Sequence, residues 1–311
     1  MDVAKGDEIW YTMFDALSDE LPSGSPWASI SDGEKMTFRI LLPAEFQDIH
    51  RRAALAWVRR GHEFSGEEWQ VAIRAFDLLK EAAVVTQQDI LPFPAVYYRY
   101  VDEPHADAFI QTLLKADEIE SSGVQAWAEV AGGIPQQLCQ ARLAPAHQPS
   151  TRLLIAYCLY WWYAFAYGYI FEVEVLRDLA QSGIQFTAHE LTSRQGRMSP
   201  WDLEVLGFRG DIKRSLFFLH TLRGRRLPYT FYIVSLTQAH RSRKLVVMMR
   251  QTMWDVIDGE TILTTLSNLI NVLPATVRVR VSGVEVIVAD YALWKRLVFH
   301  RQSEKEEEDH V

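Results

Sequence analysis

The chain is poor in cysteine, with two (Cys139 and Cys158) in 311 residues. Two thiols build no disulfide framework and have no metal-ligand spacing, so a reducing, cytoplasmic setting is the expectation. Also missing are a glycine-rich phosphate loop, paired Cys/His spacing and a G-x-S-x-G elbow. Nucleotide hydrolysis, zinc fingers and serine-hydrolase triads therefore have no support. The N-terminus, MDVAKGDEIWYTMF, lacks a basic start followed by an apolar run, so no secretory signal is expected. One long uncharged run exists, LLIAYCLYWWYAFAYGYIF from Leu153 to Phe171. It has the length to cross a bilayer. Its tyrosines and tryptophans crowd the middle, however, and no basic cluster flanks it. The expectation is a buried helix and no membrane partner.

Apolar residues make up 49% of the chain and charged residues 23%, which is the balance of a folded protein and not of a disordered one. The net charge of −8 is unevenly distributed. Between Gly183 and Arg250 lie twelve of the 32 Lys/Arg but four of the 40 Asp/Glu, so this segment carries +8 and the remainder −16. Such a segment suits a polyanion partner, or an intramolecular contact with the acidic remainder; composition leaves both open.

Residues 1–147 read as a mainly helical region able to bind a protein partner, regulate or recruit substrate. Its first thirty residues, rich in acid, Pro, Gly and Ser, are a loosely ordered lead-in. MTFRILL is a strand candidate. AEFQDIHRRAALAWVRRG, SGEEWQVAIRAFDLLKEAAVV and PHADAFIQTLLKADEI are helices, the second opening on a Ser65–Glu68 capping box. The Pro/Ser-rich stretch near residue 147 marks a boundary. In residues 148–303 a long helix, Arg152 to about Ser182, precedes an alternating pattern: IQFTAHEL, WDLEVLG and FRGDIK. A helix SLFFLHTL, a basic loop RGRRLP and two apolar strands, YTFYIVSLT and KLVVMMR, come next. A helix ETILTTLSNLINVLP, a hairpin turning at Ser282-Gly283 and an amphipathic helix YALWKRLVFH complete the domain. Residues 304–311 form an acidic tail, expected to be disordered and solvated.

The chemistry concentrates in SPWDLEVLGFRGDIKRS, Ser199 to Ser215. A tight turn at Leu206-Gly207 fixes a hairpin register by counting outward. Asp202, Glu204, Arg209, Asp211 and Lys213 then share one face, while Leu203, Val205, Phe208 and Ile212 share the other. Glu204 opposite Arg209 is an ordinary cross-strand ion pair. Asp202 opposite Asp211 places two carboxylates side by side, which is costly without a cation. Two acids suit a hard ion such as Mg²⁺, and a nearby lysine can orient or deprotonate an attacking water.

SPWD followed by GDIK resembles the signature of the PD-(D/E)xK nuclease superfamily, with the restriction-endonuclease-like fold. Trp201 interrupts the Pro-Asp pair, and the triplet opens on aspartate in place of glutamate. The fold class implied is α+β (or α/β), a core of helix, three-stranded antiparallel sheet, helix and further strand, over about residues 152–250. The family's helix pattern G-x-x-x-E is matched by Gly168 and Glu172. The resemblance implies Asp202 and Asp211 as metal acids, Lys213 as the catalytic lysine and Glu172 as an accessory metal acid. It also implies Mg²⁺ or Mn²⁺ as cofactor and nucleic acid, DNA foremost, as substrate. Anti-phage defence and mobile-element processing are settings that use this chemistry. Glu174 competes with Glu172, since residues two apart lie on different helix faces; His189 and Glu190 read as structural residues near the rim. Arg194, Arg197, Arg209, Arg214, Arg225, Arg226, Arg241, Arg243 and Lys244 are the expected phosphate contacts. The reading leaves room for a homodimer, and its rival is a non-catalytic interaction protein on the same fold.

Overall fold

The computed structural model describes residues 39–60, 64, 66–86, 88–143, 149–214, 229–238, 241–249, 251–257, 262–263, 277–281 and 284–309. The chain divides into two compact units, Met1–Ala166 and Tyr167–Val311. The division falls inside a continuous helix, whereas the sequence expectation puts the boundary in the Pro/Ser-rich stretch near residue 147. Composition marks where a chain is exposed. Here the helix itself runs on and contributes core residues to both units.

Unit one contains strand β1 (Arg39–Leu41), helices α1 (Asp48–Arg60) and α2 (Gly66–Leu79), and strands β2 (Ala83–Val85) and β3 (Ile90–Pro92). Helix α3 (Phe93–Tyr97) follows and continues through one π-helical turn, Tyr98–Asp102. After it come α4 (Glu103–Lys115), α5 (Ile119–Gln140) and the first part of α6 (Pro149–Gln181). The short strands form an antiparallel sheet in the order β1-β2-β3. The expected second helix stops at Leu79, and Ala83–Val85 turns into strand because Val84 and Val85 pair with Ile40 and Arg39. Helix α5 has no counterpart in the sequence reading. Gly132, Gly133 and Pro135 depress its local propensity, yet Trp127, Ala131, Ile134 and Leu138 are buried at helical spacing.

The uncharged run is the inner side of this unit. Phe76 stacks on Tyr160 with ring centroids 4.0 Å apart, and the buried Trp162 indole donates to the Trp127 carbonyl at 3.1 Å. By length and composition α6 passes as a membrane span, but 56% of its most apolar window is buried inside the protein. The aromatic rings in mid-helix are accordingly packing residues of the fold.

Unit two contains the rest of α6 and then β4 (Thr187–Ala188), α7 (Arg194–Arg197), β5 (Leu203–Val205), β6 (Phe208–Lys213), β7 (Phe231–Gln238) and β8 (Arg241–Met248). It closes with α8 (Gln251–Val256), β9 (Ile262–Leu263), β10 (Val277–Val281), β11 (Val284–Asp290) and α9 (Tyr291–Asp309). The described strands form one mixed sheet in the order β4-β5-β6-β7-β8-β11-β10-β9. β5 is antiparallel to both β4 and β6, and β6 pairs with β7 in parallel. A parallel neighbour needs a returning connection, here residues 214–230. Phe171, Val175 and Leu179 of α6 pack with Leu203, Val205, Ile212, Phe231, Ile233 and Trp294 to make the core. The protein is therefore mixed α+β with two sheets.

Helix α6 ends as Gly183 takes φ +71°. The Ile184 and Gly183 N–H groups bond back to the Leu179 and Ala180 carbonyls, both at 3.1 Å. The acidic tail is not a disordered end: α9 continues to Asp309. Arg301 and His300 both pair with Glu304, and Gln302 and Glu306 bind Gln185, so local and tertiary partners hold acids that would repel one another in isolation. The helix expected from ETILTTLSNLINVLP is contradicted at Ile262–Leu263, a strand parallel to β10, because backbone pairing at the sheet edge overrides an ambiguous apolar pattern. The lead-in, Ser65 of the capping box, SLFFLHTL, RGRRLP and the Ser282-Gly283 turn lie outside the described residues.

Candidate functional site

The β5–β6 hairpin turns at Leu206 and Gly207, with φ of +54° and +80°. Positive φ at both central positions is the turn whose twist suits a two-residue hairpin. The register is Val205 to Phe208, Glu204 to Arg209 and Leu203 to Gly210. Leu203, Val205 and Ile212 are buried in the core, so Asp211 and Lys213 are directed to the opposite face. Glu204 and Arg209 pair at 3.4 Å, as expected of an exposed cross-strand pair.

Asp202 lies just before β5 and stitches three strands together. Its N–H donates to Gly210 O at 3.1 Å and its carbonyl accepts from His189 N at 2.9 Å. Its Oδ2 accepts from Ile212 N at 2.7 Å. Gly210 is required by close packing, since an added Cβ would meet the Phe231 ring at 2.3 Å. The side chains of Asp202 and Asp211 are in hydrogen-bond contact, so the expected juxtaposition is present.

Asp211 is 6% exposed. Burial pushes its carboxyl up to about 7, aided by the hydrogen bond and negative charge of Asp202 and opposed by Lys213. Tyr232, 2% exposed, is its register partner on β7 and contributes to the wall that excludes water. Lys213 Nζ donates to Asp211 Oδ1 at 2.7 Å. Burial lowers the lysine's proton affinity, but Asp211, Asp202 and Glu172 together raise it above the ordinary value. Lys213 is thus held as an ammonium.

Glu172 is buried on α6, and its Oε1 lies 2.5 Å from His189 Nε2. The other ring nitrogen, Nδ1, lies 3.2 Å from the Gly196 carbonyl. Two acceptors on one imidazole call for two N–H groups. Burial lowers the affinity of His189 for its second proton, while Glu172, Asp202 and the Gly196 carbonyl raise it, and the net direction is up. The carbonyl is held in a tight loop where Ser193 Oγ accepts from Gly196 N at 3.1 Å. A Cβ at Gly196 would meet Glu190 O at 2.2 Å, so only glycine fits.

Ligand atoms of Glu172, His189 and Asp202 all lie within 4.8 Å of one another. Among the described residues this is the group able to hold a divalent cation, and Asp211 falls outside it, engaged instead with Lys213 and Asp202. Of the three acids expected as metal donors, Glu172 and Asp202 lie in this group and Asp211 does not; its place is taken by a residue that the sequence reading treated as structural, His189. Only its place at the end of the first strand hinted at this. Glu174 turns away and pairs with Lys244 at 3.8 Å, which leaves Glu172 as the inward acid.

The basic residues are dispersed. Arg194 is exposed and Arg197 donates to Leu191 O at 3.0 Å. Arg209 lies over the Trp201 ring at 5.5 Å, and Arg214 over the Tyr167 ring at 4.0 Å. Arg243 pairs with Asp290 at 3.9 Å, so it and Lys244 already have acidic partners within the unit. Arg241 lies on β8, with its side chain outside the described residues, as are Arg225 and Arg226 altogether. Compared with known proteins, the chain matches no family model, no curated sequence and no solved structure.

Proposed function

We propose that unit two is a metal-dependent nuclease that hydrolyses phosphodiester bonds, with DNA as the first substrate to test. The observation that carries this reading is the convergence of Glu172, His189, Asp202, Asp211 and Lys213 where helix α6 packs on the β5–β6 hairpin. The order of helix α6, three antiparallel strands and a further strand after a returning connection supports a restriction-endonuclease-like core.

Two carboxylates and an imidazole with mutually close donor atoms fit a divalent ion. When bound, such an ion supplies electrostatic stabilisation of the negative charge that grows on a phosphate under attack. Lys213, held as an ammonium, donates to the attacking water or to a phosphate oxygen and stabilises charge there; it is not the base. Asp211 is the proton acceptor, because a carboxylate whose proton affinity sits near neutrality matches that task. The water oxygen bonds to phosphorus as Asp211 takes its proton, the phosphorus–oxygen ester bond to the leaving sugar breaks, the departing sugar oxygen takes a proton from solvent, and Asp211 returns its own to solvent. Exposed Arg194 and Arg209 bind backbone phosphates without reading sequence.

The test is incubation of the full chain with supercoiled plasmid, linear duplex, single-stranded DNA and RNA, with Mg²⁺ or Mn²⁺, beside Lys213→Met and Asp211→Asn. Cleavage by the wild type with loss of roughly 10² to 10³ in rate for Lys213→Met is expected. If wild type and variants are equally inert on every substrate with either metal, the nuclease reading is wrong and the interaction-protein reading takes its place.

A further inference from the structure

The imidazole at the centre of the site has a consequence for which ion it takes. Mg²⁺ is a hard cation that selects oxygen ligands and keeps much of its water. An imidazole nitrogen is a poor ligand for it and a better one for first-row transition dications, of which Mn²⁺ binds most weakly and so gives the most demanding test. His189 is placed as a ligand would be. Its side chain is 3% exposed. Nδ1 is engaged by the Gly196 carbonyl at 3.2 Å, and Nε2 faces Glu172 and Asp202, where an ion would replace the proton that Nε2 shares with Glu172. A ring nitrogen fixed by a backbone carbonyl is the usual outer partner of a metal-bound histidine, because it sets both tautomer and ring orientation. The carbonyl is itself immobilised: it accepts from Ser199 N at 2.9 Å, and Gly196 N donates to Ser193 Oγ at 3.1 Å. Asp202 is likewise oriented, through Ile212 N at 2.7 Å. Two of the three donors, His189 in the loop after β4 and Asp202 at the approach to β5, are therefore oriented before any ion arrives, and Glu172 of the helix lies against them.

We infer that Glu172, His189 and Asp202 form a two-carboxylate, one-imidazole site selective for a first-row transition dication over Mg²⁺, with His189 Nε2 as the selecting ligand. This rests on the nuclease reading for the site's role, but the metal preference is measured without nucleic acid. The probes are Mn²⁺ and Mg²⁺, titrated separately by calorimetry into full-length protein freed of metal by chelation, beside His189→Ala and His189→Gln. Wild type should bind one Mn²⁺ at least about tenfold more tightly than Mg²⁺. Both variants should lose about tenfold or more in Mn²⁺ affinity while Mg²⁺ affinity changes little, so that the preference collapses. Because a variant can fail to fold, the wild-type Mn²⁺ complex is also examined by pulsed electron paramagnetic resonance, where imidazole coordination gives a nitrogen modulation. Absence of that modulation, absence of Mn²⁺ binding, or an Mn²⁺ preference unchanged in folded variants overturns the inference. Nitrogen-coordinated Mn²⁺ in a protein that cuts no nucleic acid sinks the nuclease reading and leaves the site. Cleavage supported equally by Mn²⁺ in wild type and His189→Ala does the reverse.

Discussion

Asp211→Asn should make the metal-free protein more stable, and by an amount that depends on pH. The carboxyl moves from 3.8 to about 7 on folding, chiefly through burial and then through Asp202. About three units correspond to a ceiling of roughly 4 kcal/mol between the protonated and ionised forms. The folded value lies above the unfolded one, so the folded chain prefers the neutral acid. Stability from this group is complete below pH 4 and is lost as pH rises through 7. Asparagine is neutral at every pH, nearly the same shape, and its amide N–H can donate to Asp202 where the shared proton did. It gives up the ion pair with Lys213, but that side chain is 43% exposed and rehydrates at small cost. The net gain is about 2 to 4 kcal/mol above pH 8, shrinking towards zero below pH 5. His189 is also shifted upward, and its contribution too is lost as pH rises through its folded value. The His189 contribution persists in the variant, so the difference between the two proteins isolates Asp211. Urea unfolding of both proteins in a chelator, at intervals from pH 5 to 9, measures it. Parallel stability–pH curves, or a variant less stable at pH 8.5, would refute the reasoning.

Two further substitutions address the supports of the site. Gly210→Ala should destabilise unit two by about 1 to 3 kcal/mol, because its Cβ would lie 2.3 Å from the Phe231 ring; an unchanged unfolding midpoint would contradict that packing. Glu172→Gln removes the negative charge that most raises His189, so the histidine should titrate at lower pH when followed by its ring-proton NMR signals. An unmoved or raised titration would show that the two side chains are not in contact.

The hairpin was legible because its determinants are local. Alternating polarity and a two-residue turn at Leu206-Gly207 dictate which side chains share a face, and Asp202, Asp211 and Lys213 needed no distant partner to be placed together. The long helix was legible for the same reason, through its apolar length and Gly183. His189 was not legible. A histidine beside a short strand carries no periodic signal, and only the approach of α6, which brings Glu172 to 2.5 Å, gives it a role. The acid tail misled because local repulsion argues for disorder, whereas Gln185 and the helix's own basic residues hold it. By itself the sequence determined the apolar and polar faces, since a strand's side-chain alternation is set by covalent geometry. Tertiary structure decided the protonation of Asp211 and the ammonium state of Lys213, because desolvation and charge pairing depend on what folds over a side chain and not on its neighbours in sequence.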